Sequence, residues 1–119
     1  MIKKSILVLD DMLPILVMFK DGIPKEYDVV IAFNVQQAKI LCTSVQFDFV
    51  ITDINIRPDD PEGGIELIRH LIDINFLGKV GIMSGYSYEL PDELKDRVNF
   101  VLIKPFVVPE FIKILKKYD

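Results

Sequence analysis

The run Phe47-Asp48-Phe49-Val50-Ile51-Thr52-Asp53 is apolar at almost every position until it ends on a carboxylate. Successive side chains of a strand point to opposite faces, so consecutive apolar residues at Phe49, Val50 and Ile51 need cover on both sides. A strand buried on both faces belongs inside a parallel sheet that carries helices above and below it. The reading is therefore a strand over 47–52 with Asp53 directly after it.

The other apolar runs repeat this pattern. Residues 6–9, 79–83 and 100–104 read as strands, and 27–33 as another. Between them lie helical patterns. Pro14 suits the first turn of a helix over 13–20, which Asp21-Gly22 would stop. Asn34 is the expected cap of a helix over 35–44. A polar, proline-broken stretch over 55–63 leads to a helix over 65–75, with Ile65, Ile68, Leu71 and Ile72 on one face. Pro91 opens a short helix over 91–97, and the closing helix covers 108–118. Strand and helix alternate five times with no repeat, linker or low-complexity segment. The fold class is α/β: a three-layer sandwich with a five-stranded parallel sheet between helices.

With 119 residues, 50% of them hydrophobic, the chain can bury a real core as a single domain over 1–119. A net charge of −4 without a cluster of Lys and Arg argues against direct nucleic-acid binding. The lysines at 113–117 read as the solvated face of the last helix. Cys42 is a lone thiol within a helical pattern and reads as an ordinary buried side chain. The start, Met1-Ile2-Lys3-Lys4, has too short an apolar run before Asp10 for a signal peptide, and no stretch is long enough to span a membrane. The expectation is a cytoplasmic protein with no membrane partner.

Asp10 and Asp11 follow the strand over 6–9, Asp53 follows 47–52, and Lys104 ends 100–104. Ligands of open parallel sheets bind at the carboxyl ends of the strands, so these four side chains should converge. Gathered carboxylates repel one another unless a cation offsets them, which points to a hard metal ion with oxygen ligands and a lysine ammonium beside it. Such a site suits phosphate chemistry. Asp10 and Asp11 can equally serve as helix-capping residues, and the two roles are compatible.

The Asp10-Asp11 pair, Asp53, Ser84 after the fourth strand and Lys104-Pro105-Phe106 after the fifth together resemble the receiver domain of two-component response regulators. Ala32-Phe33-Asn34 and Gly64-Ile65-Glu66-Leu67 extend the resemblance over essentially the whole chain. It implies the strand order 2-1-3-4-5. Asp53 would be the phosphoacceptor, taking a phosphoryl group from a phosphohistidine on a sensor histidine kinase or phosphotransfer protein. Mg²⁺ would be held by Asp10, Asp11, Asp53 and the backbone carbonyl of Asn55, while Lys104 and Ser84 would contact phosphoryl oxygens. The chain would be a signalling phosphoprotein, catalysing its own transfer and dephosphorylation, and no enzyme in the ordinary sense. Its output would pass to a downstream effector protein or output domain. The surface of the fourth helix, fifth strand and fifth helix serves docking or homodimer formation in that family.

The chain departs from the family pattern at several places. Val101 stands where the family places a switching aromatic, and Phe100 beside it would face the other side of the sheet. The signal is then expected to run through the loop over 85–90, by movement of Tyr86 and Tyr88. The stretch over 55–63 is longer than usual, and the fourth helix is short. Asn55 and Tyr86 occupy the two positions that tune phosphoryl lifetime in the family. His70 reads as a surface histidine. Two other functions fit the fold: a docking module that works without phosphorylation, and an aspartate-nucleophile phosphatase. The latter wants a second carboxylate two residues beyond the nucleophile, where this chain has Asn55.

Overall fold

In the computed structural model, which describes residues 3–54, 63–85 and 90–118, each strand is followed by a helix. The order is β1 (Lys4–Leu9), α1 (Leu13–Gly22), β2 (Tyr27–Ala32), α2 (Val35–Ser44), β3 (Phe49–Asp53), α3 (Gly63–Asp73), β4 (Lys79–Ser84), α4 (Asp92–Lys95), β5 (Phe100–Ile103) and α5 (Val108–Lys116). All pairings are parallel and the sheet order is β2-β1-β3-β4-β5.

The alternation of side chains along the inner strands builds both cores. Ile6, Val8, Phe49, Ile51, Met83 and Leu102 face α1 and α5, where they meet Leu16, Phe19, Phe111 and Leu115. Leu7, Leu9, Val50 and Ile82 face the opposite layer and meet Ala38, Leu67, Ile68, Leu71 and, from α4, Leu94. Phe49, Val50 and Ile51 are each at most 1% exposed, as their uninterrupted apolar pattern requires. Among the described residues no helix is long and apolar enough to cross a membrane.

Helix starts follow local chemistry. Asn34 caps α2, its side chain accepting a 2.8 Å hydrogen bond from the Gln37 N–H, and the Gln37 side chain accepts from the Phe33 N–H at 2.8 Å. Asn34→Ala should lower unfolding stability by about 1 kcal/mol, measured by urea denaturation, whereas an unchanged midpoint would show that the cap contributes nothing. Proline occupies the first turn of α1 and of α5, where its missing N–H costs no helical bond.

Several element ends lie a residue or two from where the sequence pattern put them, for identifiable reasons. β3 starts at Phe49, because Asp48 is engaged as a lead-in: its N–H donates to the Ser5 carbonyl and its carboxylate accepts from the Ser5 N–H. α1 runs through Gly22, and the stop is Ile23, extended, with its N–H on the Phe19 carbonyl. A Cβ at Gly22 would come 3.0 Å from Val108 Cγ2, so the glycine lets α1 and α5 lie close. On the other edge, Phe100 lies across Gly81, its partner in the β4–β5 register, and packs near Phe111 and Tyr118. Val101 faces the opposite layer with Leu90 and Val98. α4 is a single turn, as Pro91 and the shortness of its segment predict.

Candidate functional site

The carboxyl ends of β1, β3, β4 and β5 lie side by side; β1 delivers Asp10 and Asp11, and the others deliver Asp53, Ser84 and Lys104. Asp10 leaves β1 with its N–H on the Ala32 carbonyl, which keeps it at the bottom of the cleft and fully buried. Its carboxylate Oδ1 accepts a 2.9 Å bond from the Met12 N–H. That bond folds the chain back into α1, whose own cap position, Met12, contributes no side-chain bond. Asp10 therefore organises the turn without acting as the cap residue, and Asp11 is left exposed toward solvent.

Asp53 is the last residue of β3, still paired with Met83, and the Ile54 N–H donates to the Met83 carbonyl at 3.1 Å. Ser84, 2% exposed, ends β4; its carbonyl accepts from the Lys104 N–H at 2.7 Å, which joins the ends of β4 and β5. The Lys104-Pro105 peptide is cis.

The side chains converge. Lys104 Nζ donates to Asp53 Oδ2 at 2.9 Å and to Asp10 Oδ2 at 3.0 Å, bridging two buried carboxylates. Burial by itself pulls the Lys104 ammonium down, but its hydrogen bonds to Asp53 and Asp10 and their charges outweigh that, so it stays above the ordinary lysine value. Carboxylate oxygens of Asp10, Asp11 and Asp53 all lie within 4.8 Å of one another. One ammonium faces three carboxylates here, a donor set that could hold a further cation. Hard oxygen donors at this spacing, one of them open to solvent, suit a small hydrated ion such as Mg²⁺.

The structure thus brings Asp10, Asp11, Asp53 and Lys104 together and sets Ser84 at the same end of the sheet. Asn55, Tyr86, Tyr88 and the stretch 55–62 lie outside the described residues. Two contributors were not apparent from the sequence pattern: the Met12 N–H, a backbone group, and the Thr52 hydroxyl, which donates to the Asp53 carbonyl at 2.9 Å. Gly64 abuts the same carbonyl. Exposed apolar side chains, Met12, Leu13, Phe33, Ile103 and Val107, stand at this end of the molecule.

The remaining reactive side chains lie elsewhere. Cys42 is buried in α2, and burial pushes its thiol up to about 11, so it is inert as a nucleophile at neutral pH. His70 on α3 is partly exposed, its Nε2 3.2 Å from Thr43 Oγ1. The Thr43 hydroxyl also donates to the Lys39 carbonyl at 2.9 Å.

No family model matches the sequence, and no curated protein sequence matches it. Solved structures do. The response regulator TrrA of Thermotoga maritima, solved in complex with Mg²⁺-BeF, is 26% identical with a TM-score of 0.80, over 96% of this chain and 97% of that one. A CheY-like receiver domain from Methylobacillus flagellatus gives a TM-score of 0.84 at 19% identity, covering 98% and 99%. Another from Methanospirillum hungatei gives 0.83 at 22% identity, covering 98% and 93%. Over nearly its whole length, and with an acidic cluster at the carboxyl end of its sheet, this chain has the receiver-domain fold of response regulators.

Proposed function

We propose that the chain is a cytoplasmic, phosphorylation-controlled signalling receiver in which Asp53 accepts a phosphoryl group from a phosphohistidine of a sensor histidine kinase or phosphotransfer protein. The observation that carries this reading is the Lys104 ammonium held 2.9 Å from Asp53 and 3.0 Å from Asp10, with Asp11 beside them. In the transfer, a carboxylate oxygen of Asp53 attacks phosphorus, the phosphorus–nitrogen bond breaks, and the imidazole leaves with the electron pair. The protein has little covalent work beyond alignment and neutralising charge on the transferred group. Lys104 stabilises one phosphoryl oxygen, and the Ser84 hydroxyl donates to another.

Asp11 and Asp53 would hold Mg²⁺ directly, with the Asn55 carbonyl, and Asp10 directly or through water while its oxygens accept from Met12 and Lys104. The ion would neutralise phosphoryl oxygens as charge develops. The complex of TrrA with Mg²⁺-BeF supports this pairing of ion and phosphoryl mimic. The exposed apolar residues around the site, Met12, Leu13 and Val107 among them, offer a kinase partner a surface within reach of Asp53. The phosphoryl group adds strong acceptors and negative charge, and Ser84 engages it by moving the chain that follows β4, through which an effector or output domain reads the state.

Mg²⁺ with beryllofluoride, a mimic of the phosphorylated carboxylate, should shift the amide resonances of Asp11, Asp53, Ser84 and Lys104 in a heteronuclear spectrum. Asp11→Ala should weaken the Mg²⁺ response at least tenfold. A spectrum blind to both additives, or an Asp11→Ala variant that titrates like the parent, would contradict the proposed site.

A further inference from the structure

We infer that Thr52 is a positioning residue for Asp53, an assignment that rests on the proposed phosphoacceptor role. Thr52 is fully buried and stands in register between Leu9 of β1 and Ile82 of β4, on the face that carries Val50 toward the α2–α3 layer. Every one of those neighbours is aliphatic, and a valine would fill the same volume. A hydroxyl in such surroundings is costly unless it forms a hydrogen bond. Here it donates to the carbonyl of Asp53 at 2.9 Å.

That carbonyl belongs to the peptide unit joining Asp53 to Ile54. The N–H of the same unit donates to the Met83 carbonyl at 3.1 Å. The unit is thereby gripped at both ends, by Thr52 on its oxygen and by β4 on its nitrogen. Gly64, the second residue of α3, comes down on the oxygen so closely that a Cβ there would overlap it. Rotation of this peptide plane turns the Cα–Cβ bond of Asp53, and with it the carboxylate that sits 2.9 Å from Lys104. Thr52 never reaches the cleft itself, because its side chain points to the other face of the sheet from that of Asp53. It acts through the backbone, fixing the angle from which the carboxylate approaches phosphorus. In-line displacement is sensitive to such angles.

The test uses two pairs of variants that differ only in the hydroxyl: Thr52 against Thr52→Val, and Thr52→Ser against Thr52→Ala. Phosphorylation by acetyl phosphate with Mg²⁺ is followed by intact mass across donor concentrations, separating the maximal rate from the half-saturating concentration. Within each pair, loss of the hydroxyl should lower the maximal rate about tenfold and leave half-saturation and Mg²⁺ affinity within about twofold. Thr52→Ser should stay near the parent rate. Equal rates within both pairs, or a Thr52→Ser variant as slow as Thr52→Ala, overturns the positioning role while leaving the phosphoacceptor reading intact. A folded parent protein that accepts no phosphoryl group and whose spectrum ignores Mg²⁺ and beryllofluoride overturns both. The Ser/Ala pair gives the answer if Thr52→Val does not fold.

Discussion

Lys104→Met is expected to slow phosphoryl transfer to Asp53 by about 10²-fold and, in metal-free buffer, to cost about 3 kcal/mol of folding stability. Both effects come from the same contact. The ammonium bridges Asp53 and Asp10 at 2.9 and 3.0 Å, and the Asp10 side chain is fully buried. Methionine keeps much of the stem volume but takes the Lys104 charge away from the facing carboxylates, which is the expensive way to break a buried ion pair. It also removes a preorganised positive charge from the place where a phosphoryl oxygen would sit.

The two effects can be separated by adding Mg²⁺. Mg²⁺ should restore more stability to Lys104→Met than it adds to the parent, because the ion takes over part of the neutralisation. It should not restore the rate. Urea midpoints with and without Mg²⁺, read by circular dichroism, measure the first, and intact-mass kinetics the second. Equal midpoints for the two proteins in metal-free buffer would mean that the bridge contributes nothing to folding.

Alkaline pH should reproduce the deletion in the parent protein. The folded Lys104 ammonium lies above the ordinary lysine value, so its contribution to stability is complete below that value. The contribution is lost as pH rises through the folded value. Between neutral pH and the ordinary lysine range the bridge should therefore hold.

Gly64→Ala is the second large effect, with an expected loss of about 2–3 kcal/mol. An added Cβ would overlap the Asp53 carbonyl oxygen, lie 2.7 Å from Ile54 Cα and 3.0 Å from the Ile54 oxygen. All three are backbone atoms, so no side chain can swing aside to make room. Either α3 lifts from the sheet, uncovering Ile65 and Ile68, or the end of β3 shifts and takes Asp53 with it. Loss of stability and slowing of Asp53 chemistry should therefore appear together. Gly85→Ala is the matching control, since among the described residues nothing lies within 4 Å of a Cβ there, and it should denature like the parent. A Gly64→Ala protein with the parent's urea midpoint would show that the close approach is relieved without cost.

How much of this was visible in the residues depends on the range of the interaction involved. The succession Phe49-Val50-Ile51 could only be satisfied by cover on both faces, so the layered fold and the common end for Asp10, Asp53 and Lys104 followed from local patterning. Element ends were less legible, because tertiary contacts set them. Asp48 is drawn into a lead-in by Ser5, and α1 continues through Gly22 to stop at Ile23, whose N–H bonds the Phe19 carbonyl. The division of labour among the carboxylates was also hidden. Asp10 and Asp11 are adjacent in sequence and chemically identical. Yet the backbone turn buries Asp10 against Lys104 and the Met12 N–H while Asp11 faces outward. Thr52 was unreadable for a related reason: in a strand, threonine serves as readily for its β-branched shape as for its hydroxyl, and only the bond to the Asp53 carbonyl distinguishes the two.

The central claim, that Asp53 is a phosphoacceptor, is met most directly by intact mass after incubation with Mg²⁺ and acetyl phosphate, beside Asp53→Ala and an EDTA control. One added phosphoryl group is expected, disappearing both with EDTA and with Asp53→Ala. An adduct that survives Asp53→Ala would place the chemistry on another residue. No adduct, from a folded protein whose spectrum also ignores Mg²⁺ and beryllofluoride, would contradict the claim and leave a docking module with the receiver fold.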